Sequence, residues 1–233
     1  MVDITGTPLL MASAVTGEWK DISNKFVEWN CVNRTDNSKV PVRVRRDQYS
    51  RIPGKPYMCL DSTYYAKATN IKENIESGKD FTVAIWIYVK GASTVTDICA
   101  SGPSSLVMIY DQGVGDGYSY CANGAGWTYL SHTPPPNNVW HHCAITCKNS
   151  KMMFFLDGHK LDDRPAFISP ITDLTFLTDA NGRRGYNETG PEEKFYDEIV
   201  IIKNQCVWTN DFDPNTVKFD FKNVVDRKKL RLY

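Results

Sequence analysis

The sequence predicts an all-β chain folded as an antiparallel two-sheet β-sandwich, and three observations lead there. Short runs rich in valine, isoleucine and aromatic residues recur along it, clusters of glycine, proline, asparagine and aspartate separate them, and apolar residues almost never repeat at a helical period. With 233 residues, 42% of them apolar and 12% aromatic, the chain can bury a full core in one such domain.

The first 40 residues are poor in strand pattern, yet Trp19, Phe26 and Trp29 require cover. Arg43, Arg45, Arg46, Arg51 and Lys55 follow as a basic stretch in which Val42 and Val44 alternate with the first two arginines. One face there is cationic, suited either to guarding a strand edge or to docking an acidic partner. The clearest strand is Phe81 to Val89, where Phe81, Val83, Ile85 and Ile87 alternate with Thr82, Ala84, Trp86 and Tyr88. Both faces are substantially apolar, as in a strand from the middle of a packed sandwich.

Ser104 to Tyr110 and Tyr118 to Asn123 flank the glycine-rich stretch Asp111 to Gly117 and read as a long hairpin. Trp127 to Leu130 is a short strand before Pro134-Pro135-Pro136, which cannot supply ladder donors. Trp140 to Cys147 resumes the sheet. Met152 to Leu156, Asp157-Gly158 and His159 to Leu161 form a tight hairpin, because Asp-Gly accepts the positive φ angles of a primed turn. Valine at Gly158 would cost about 1–2 kcal/mol on that ground alone. Leu174 to Leu177 and Lys194 to Ile202 are strands, with Asp179 to Glu193 a long exposed loop between them.

The 27 lysines and arginines equal the 27 aspartates and glutamates, so no net field draws the molecule to nucleic acid or an anionic membrane, and neither is expected as a partner. The apolar stretch Pro8 to Val15 is too short to span a bilayer, and the start lacks a basic leader pattern and reads as unprocessed. Seven cysteines, several inside strand patterns, read as small hydrophobes in a reducing place of assembly.

Four segments in order resemble the laminin-G-like, concanavalin A-like family: Tyr57-Met58-Cys59-Leu60-Asp61 before Tyr64-Tyr65; Asp80 to Trp86; Trp140 to Thr146 running into Phe155-Leu156-Asp157-Gly158; and Tyr196 to Ile201. The resemblance implies a jelly roll over residues 53–218, with residues 1–52 completing the sandwich or forming an arm and residues 219–233 a last strand or arm. Its members include lectins, adhesive modules, glycosidases and structural domains, so the fold alone does not choose a chemistry. Cys206 to Pro214 looks like the tail of such domains in tailed-phage virion proteins. The expected function is a non-catalytic binding or assembly module on a virion surface, such as a head decoration, head fibre or tail component. It is assembled in a host cytoplasm against other virion proteins or copies of itself, and adheres to surface polysaccharide. A free-standing carbohydrate-binding lectin and a glycoside hydrolase are the alternatives, with a soluble cytoplasmic or an extracellular location as the alternatives to a virion surface.

Glycosidases of this fold need carboxylates on one face of a strand. Here Asp197 and Glu198 are adjacent, which on a regular strand points them to opposite faces, so no catalytic residue is assigned. His141, His142, Cys143 and Cys147 are spread too widely on an extended strand, about 7 Å and about 13 Å between successive cysteine-containing pairs, to surround one zinc ion. Cys143, Ile145 and Cys147 are expected to pack inward and the histidines to satisfy local hydrogen bonds. Asp179-Ala180-Asn181-Gly182 offers too few oxygens for calcium and precedes Arg183-Arg184, so no metal or cofactor is expected. The glycan candidates are Trp127 and Tyr129, whose rings could stack on a sugar, with Asp111, Asp116 and Asn123 for its hydroxyls. The partner candidates are Arg43, Arg45, Arg46, Trp19, Phe219, Phe221 and Tyr233.

Overall fold

The computed structural model describes residues 5–15, 18–21, 27–61, 63–69, 75, 78–91, 95–101, 106–111, 117–121, 127–131, 135–165, 174–176, 193–217 and 219. Among them are seventeen strands and no helix. In chain order these are β1 (Thr7–Val15), β2 (Glu18–Asp21), β3 (Glu28–Asn33), β4 (Lys39–Val40), β5 (Val44–Arg45), β6 (Tyr57–Leu60), β7 (Tyr64–Thr69), β8 (Phe81–Lys90) and β9 (Val95–Ser101). They continue with β10 (Leu106–Asp111), β11 (Gly117–Cys121), β12 (Trp127–Ser131), β13 (Trp140–Lys148), β14 (Lys151–Leu156), β15 (His159–Pro165), β16 (Leu174–Phe176) and β17 (Glu193–Lys203). One sheet runs β15-β14-β13-β8-β17-β1-β2, with β6 also on β17 and β5 on β6. The other runs β12-β11-β10-β9-β16-β7-β3-β4. Both are antiparallel, the jelly-roll sandwich that the strand pattern predicts.

The period-2 alternation of the central strands decides what lies between the sheets. Val83, Ile85 and Ile87 of β8, Cys143, Ile145 and Cys147 of β13, and Ile199 and Ile201 of β17 share one core with Cys31 of β3 and Ala66 and Ala68 of β7. The other side of β8 is buried as well, with Trp86 only 6% exposed. Its cover is not a third sheet. Ala84, Ala144, Phe155, Val200 and Ile202 lie under Trp208 and Phe219 of the segment after β17, while Tyr88 and Phe195 pack with Tyr49, Tyr57 and Trp140.

The amino-terminal region is richer in strand than its pattern suggests. β1 lies between β17 and β2, and β3 between β7 and β4. The run Leu9 to Val15 carries no period that marks it as a strand. Pro8 sits where the β1–β17 register shifts, between Pro8 and Leu10, a place that tolerates a missing N–H. Trp19 was expected at a partner contact. It is instead buried by the chain itself, edge-on to Trp29 at 5.5 Å between ring centroids. Phe219 is likewise buried, against Trp208 at 5.9 Å, so neither ring needs a neighbour to leave water. Phe221 and Tyr233 lie outside the described residues.

Candidate functional site

On the outer face of the first sheet two irregular segments leave a cleft of about 520 Å³ between them. Its floor is Trp86 of β8 and Trp140 of β13, with Arg51 on one side and Asp157 and His159 of the β14–β15 hairpin on another. Phe212, Asp213, Pro214 and Asn215 of the segment after β17 form the facing wall.

Two buried threonines on adjacent strands hold that segment down. Thr82 Oγ1 donates to the Gln205 carbonyl at 2.9 Å and accepts from the Val207 amide at 3.0 Å, and Thr146 Oγ1 donates to the Trp208 carbonyl at 2.8 Å. Such bonds satisfy groups that burial would otherwise leave unpaired. Trp208 then stacks on Phe212 at 4.2 Å, and the Phe212 amide donates to the Gly158 carbonyl at 3.0 Å. Asp157 and Gly158 have φ of 51° and 80°, the primed turn expected of Asp-Gly. Asp213 closes the wall with a turn in which the Asn215 amide donates to its Oδ1 at 2.9 Å. On the opposite side, Trp140 Nε1 donates to the Tyr49 carbonyl at 2.8 Å, fixing the indole against the segment that carries Arg51.

Arg51 lies over the Trp86 ring, 4.5 Å from its centroid. The acids behind it correct the sequence expectation. β17 carries a bulge: Asp197 pairs with Trp86 but Val200 with Ala84, three residues against two, and Glu198 has φ of 45°. The extra residue breaks the alternation that would have sent Asp197 and Glu198 to opposite faces. Both carboxylates reach the same two cations: Arg51 Nη2 is 2.7 Å from Glu198 Oε2 and its Nε 3.4 Å from Asp197 Oδ2, while Lys55 Nζ is 2.6 Å from Glu198 Oε1 and 3.9 Å from Asp197 Oδ2.

The two histidines of β13 have opposite fates. His141 Nδ1 is 2.7 Å from Asp157 Oδ2 and its Nε2 is 2.8 Å from the Pro136 carbonyl. Both partners are acceptors, so both ring nitrogens must carry protons and the ring is cationic when both bonds are made. Burial alone would lower its pKa, but the bonds to Asp157 and Pro136 outweigh it and raise it. Burial would raise the Asp157 carboxyl, and the His141 ring and the His142 amide (2.8 Å) lower it instead. His142 departs from the expectation of local hydrogen bonds, since its Nδ1 is buried without a partner. Its ring is enclosed by Trp86, Trp208 and Phe212 at 5.0–5.6 Å. Burial pushes its pKa down to about 3, only partly opposed by Asp157.

The His141–Asp157 pair sets a pH window. A raised histidine contributes stability in full below its ordinary 6.5 and loses it as pH rises through the folded value; a lowered carboxyl contributes above 3.8 and loses it as pH falls. His141→Gln is therefore expected to destabilise most between about pH 4 and 6.5 and progressively less on the alkaline side. Urea denaturation of both proteins across pH checks this. A cost that is constant with pH would contradict the cationic assignment.

The sugar-binding group expected from the sequence falls on the far edge of the second sheet. Trp127 and Tyr129 belong to β12, the outermost strand. Asp111 pairs with Gly117 at one end of the β10–β11 hairpin, whereas Trp127 pairs with Cys121 near the other, four residues along. That is about 13 Å along the strands. Asp116 and Asn123, like the Asp179 loop, lie outside the described residues.

The basic stretch is largely matched with acids. Arg43 pairs with Asp61 and lies over Tyr64, Arg45 pairs with Glu193, and Arg46 is exposed. A cationic face open to an acidic partner is thus reduced to Arg46, because the neighbouring arginines find carboxylates on the chain itself. Cys143 and Cys147 are fully buried in the core between the sheets, and no group of three or more metal-ligating side chains occurs among the described residues.

Residues 60–191 match the concanavalin A-like lectin/glucanases superfamily, and the chain belongs to that family. No curated protein matches the sequence. Among solved structures it is similar to domain 4 of AbnA, a GH43 extracellular arabinanase from Geobacillus stearothermophilus, in complex with arabinotriose. The identity is 15% and the TM-score 0.63, over 95% of this chain and 98% of that one. It is also similar to the binding domain of botulinum neurotoxin DC, in complex with rat synaptotagmin II (13% identity, TM-score 0.60, 96% of this chain and 51% of that one) and with SialylT (13%, 0.61, 94% and 51%). The chain spans about half the length of those neurotoxin domains. At these identities the likeness shows the fold.

Proposed function

We propose that the protein is a non-catalytic adhesion module whose cleft over Trp86 and Trp140 takes an oligosaccharide, and that it serves on a virion surface. The cleft carries the saccharide reading. Its volume suits a small ligand, and the half-buried Trp140 indole lines it together with the Asp213 carboxylate and the Asn215 amide, apolar surface in one cleft with groups that can take hydroxyls. Solved structures of like fold, in complex with arabinotriose or SialylT, support a carbohydrate partner. The virion part, with other virion proteins or further copies of the chain as partners, rests on the resemblance of Cys206 to Pro214, the segment that makes one cleft wall.

The carboxyl chemistry supports a site without catalysis. A glycosidase acid needs a raised pKa at the sugar. Asp157, which lines the cleft, is held low by its two donors. Asp197, which burial raises despite Lys55 and Arg51, is 1% exposed and does not line it.

Trp140→Ala is expected to lower affinity for bound glycans by about tenfold or more, the loss of one stacking ring, while Trp127→Ala on β12 leaves it within about twofold. A glycan array followed by titration calorimetry measures both. The reverse ranking would move the site to the β12 edge, and reducing-end release from any polysaccharide would make the protein an enzyme. Mass spectrometry of purified particles tests the virion part.

A further inference from the structure

We infer that the cleft selects uncharged saccharides and turns away acidic ones, because the Asp197–Glu198 bulge neutralises Arg51 from inside the fold. The inference rests on the saccharide reading of the cleft and adds the class of ligand.

A guanidinium lining a sugar cleft ordinarily draws a carboxylate or sulfate, since it offers paired donors and a permanent charge. Here Nε and Nη2 lie against the carboxylates of β17. Nη2 is 2.7 Å from Glu198 and Nε is 3.4 Å from Asp197, the flat face lies on Trp86, and 11% of the side chain is exposed. Lys55 is bound to the same Glu198 carboxylate. Two cations therefore meet two carboxylates behind the floor. An acidic sugar that takes Arg51 through Nη2 must break a partly buried ion pair and leave Glu198 facing Lys55 alone.

A carboxylate remains open toward a ligand. Asp157 is balanced by His141, but Asp213 stands exposed on the wall, its Oδ1 on the Asn215 amide, and no ion pair to it occurs among the described residues. A ligand carboxylate in the cleft would meet that charge at short range, and a like-charge contact of this kind lowers affinity by about tenfold or more.

The test is a glycan panel holding matched uncharged and carboxylate- or sulfate-bearing oligosaccharides, read with the parent protein, Trp140→Ala, Glu198→Gln and Asp213→Asn. Trp140-dependent binding of uncharged members, with acidic members gaining about tenfold in Glu198→Gln or Asp213→Asn, supports the inference. Asparagine at 213 keeps an oxygen for the Asn215 amide, so that variant carries the test even if Glu198→Gln does not fold. Trp140-dependent binding of acidic glycans by the parent overturns the selectivity and leaves the cleft as the site. Binding that ignores Trp140→Ala, or no binding at all, removes the saccharide cleft and this inference with it.

Discussion

Gly158→Val is expected to lower stability by roughly 2–5 kcal/mol, more than a strained turn alone explains. Positive φ at Gly158 accounts for about 1–2 kcal/mol of this. The remainder comes from the segment above it, because a Cβ on Gly158 would run into the Phe212 carbonyl oxygen and approach the Pro214 ring to 2.9 Å. Gly54 is the internal control. Its φ of 76° is similar, but a Cβ there meets nothing within 4 Å, so Gly54→Val should show the backbone strain by itself. Urea denaturation of the two variants gives the difference, and faster amide exchange at Phe212 in Gly158→Val would locate it. Equal midpoints for the two variants would mean that Phe212 and Pro214 do not press on the turn.

Acid should destabilise the protein by roughly 3–5 kcal/mol through His142 alone, as the unfolded chain takes up a proton near pH 6.5 that the folded ring refuses until about pH 3. The sign follows from the lowered pKa: the contribution is present above 6.5 and is lost as pH falls toward 3. His142→Phe removes the titration while keeping a ring among Trp86, Trp208 and Phe212. Between pH 6.5 and 3 its stability should fall much less steeply than that of the parent. Parallel curves would show that the parent ring is not held neutral.

The central strands were legible because alternation is a local property. Phe81 to Val89, Trp140 to Cys147 and the Asp157-Gly158 hairpin all lie where period 2 and turn chemistry put them. β1 was not, since Leu9 to Val15 does not alternate and its pairing with β17 and β2 is a long-range property. The cleft was legible only as a need. Trp86 and Tyr88 on the second face of β8 signalled that something must cover them, but not that the covers would be the irregular residues near Arg51 and around Trp208 and Phe212. No period marks such segments. The convergence of Asp197 and Glu198 was hidden for a sharper reason: one inserted residue reverses an inference drawn from alternation, and nothing in Tyr196-Asp197-Glu198-Ile199 announces the bulge.

That inserted residue also bears on how β17 finds its frame. Ile199, Val200, Ile201 and Ile202 are all buried, two on each face, and all are branched aliphatics. Hydrophobicity therefore does not distinguish which two belong between the sheets. Sliding the strand flush against β8 would exchange Ile199 and Ile201 for Val200 and Ile202 with little apolar penalty, and would also turn the Glu198 carboxylate inward, away from Arg51 and Lys55. The charged cluster thus works as a punctuation mark in an otherwise ambiguous line, setting the phase in which four interchangeable residues are read.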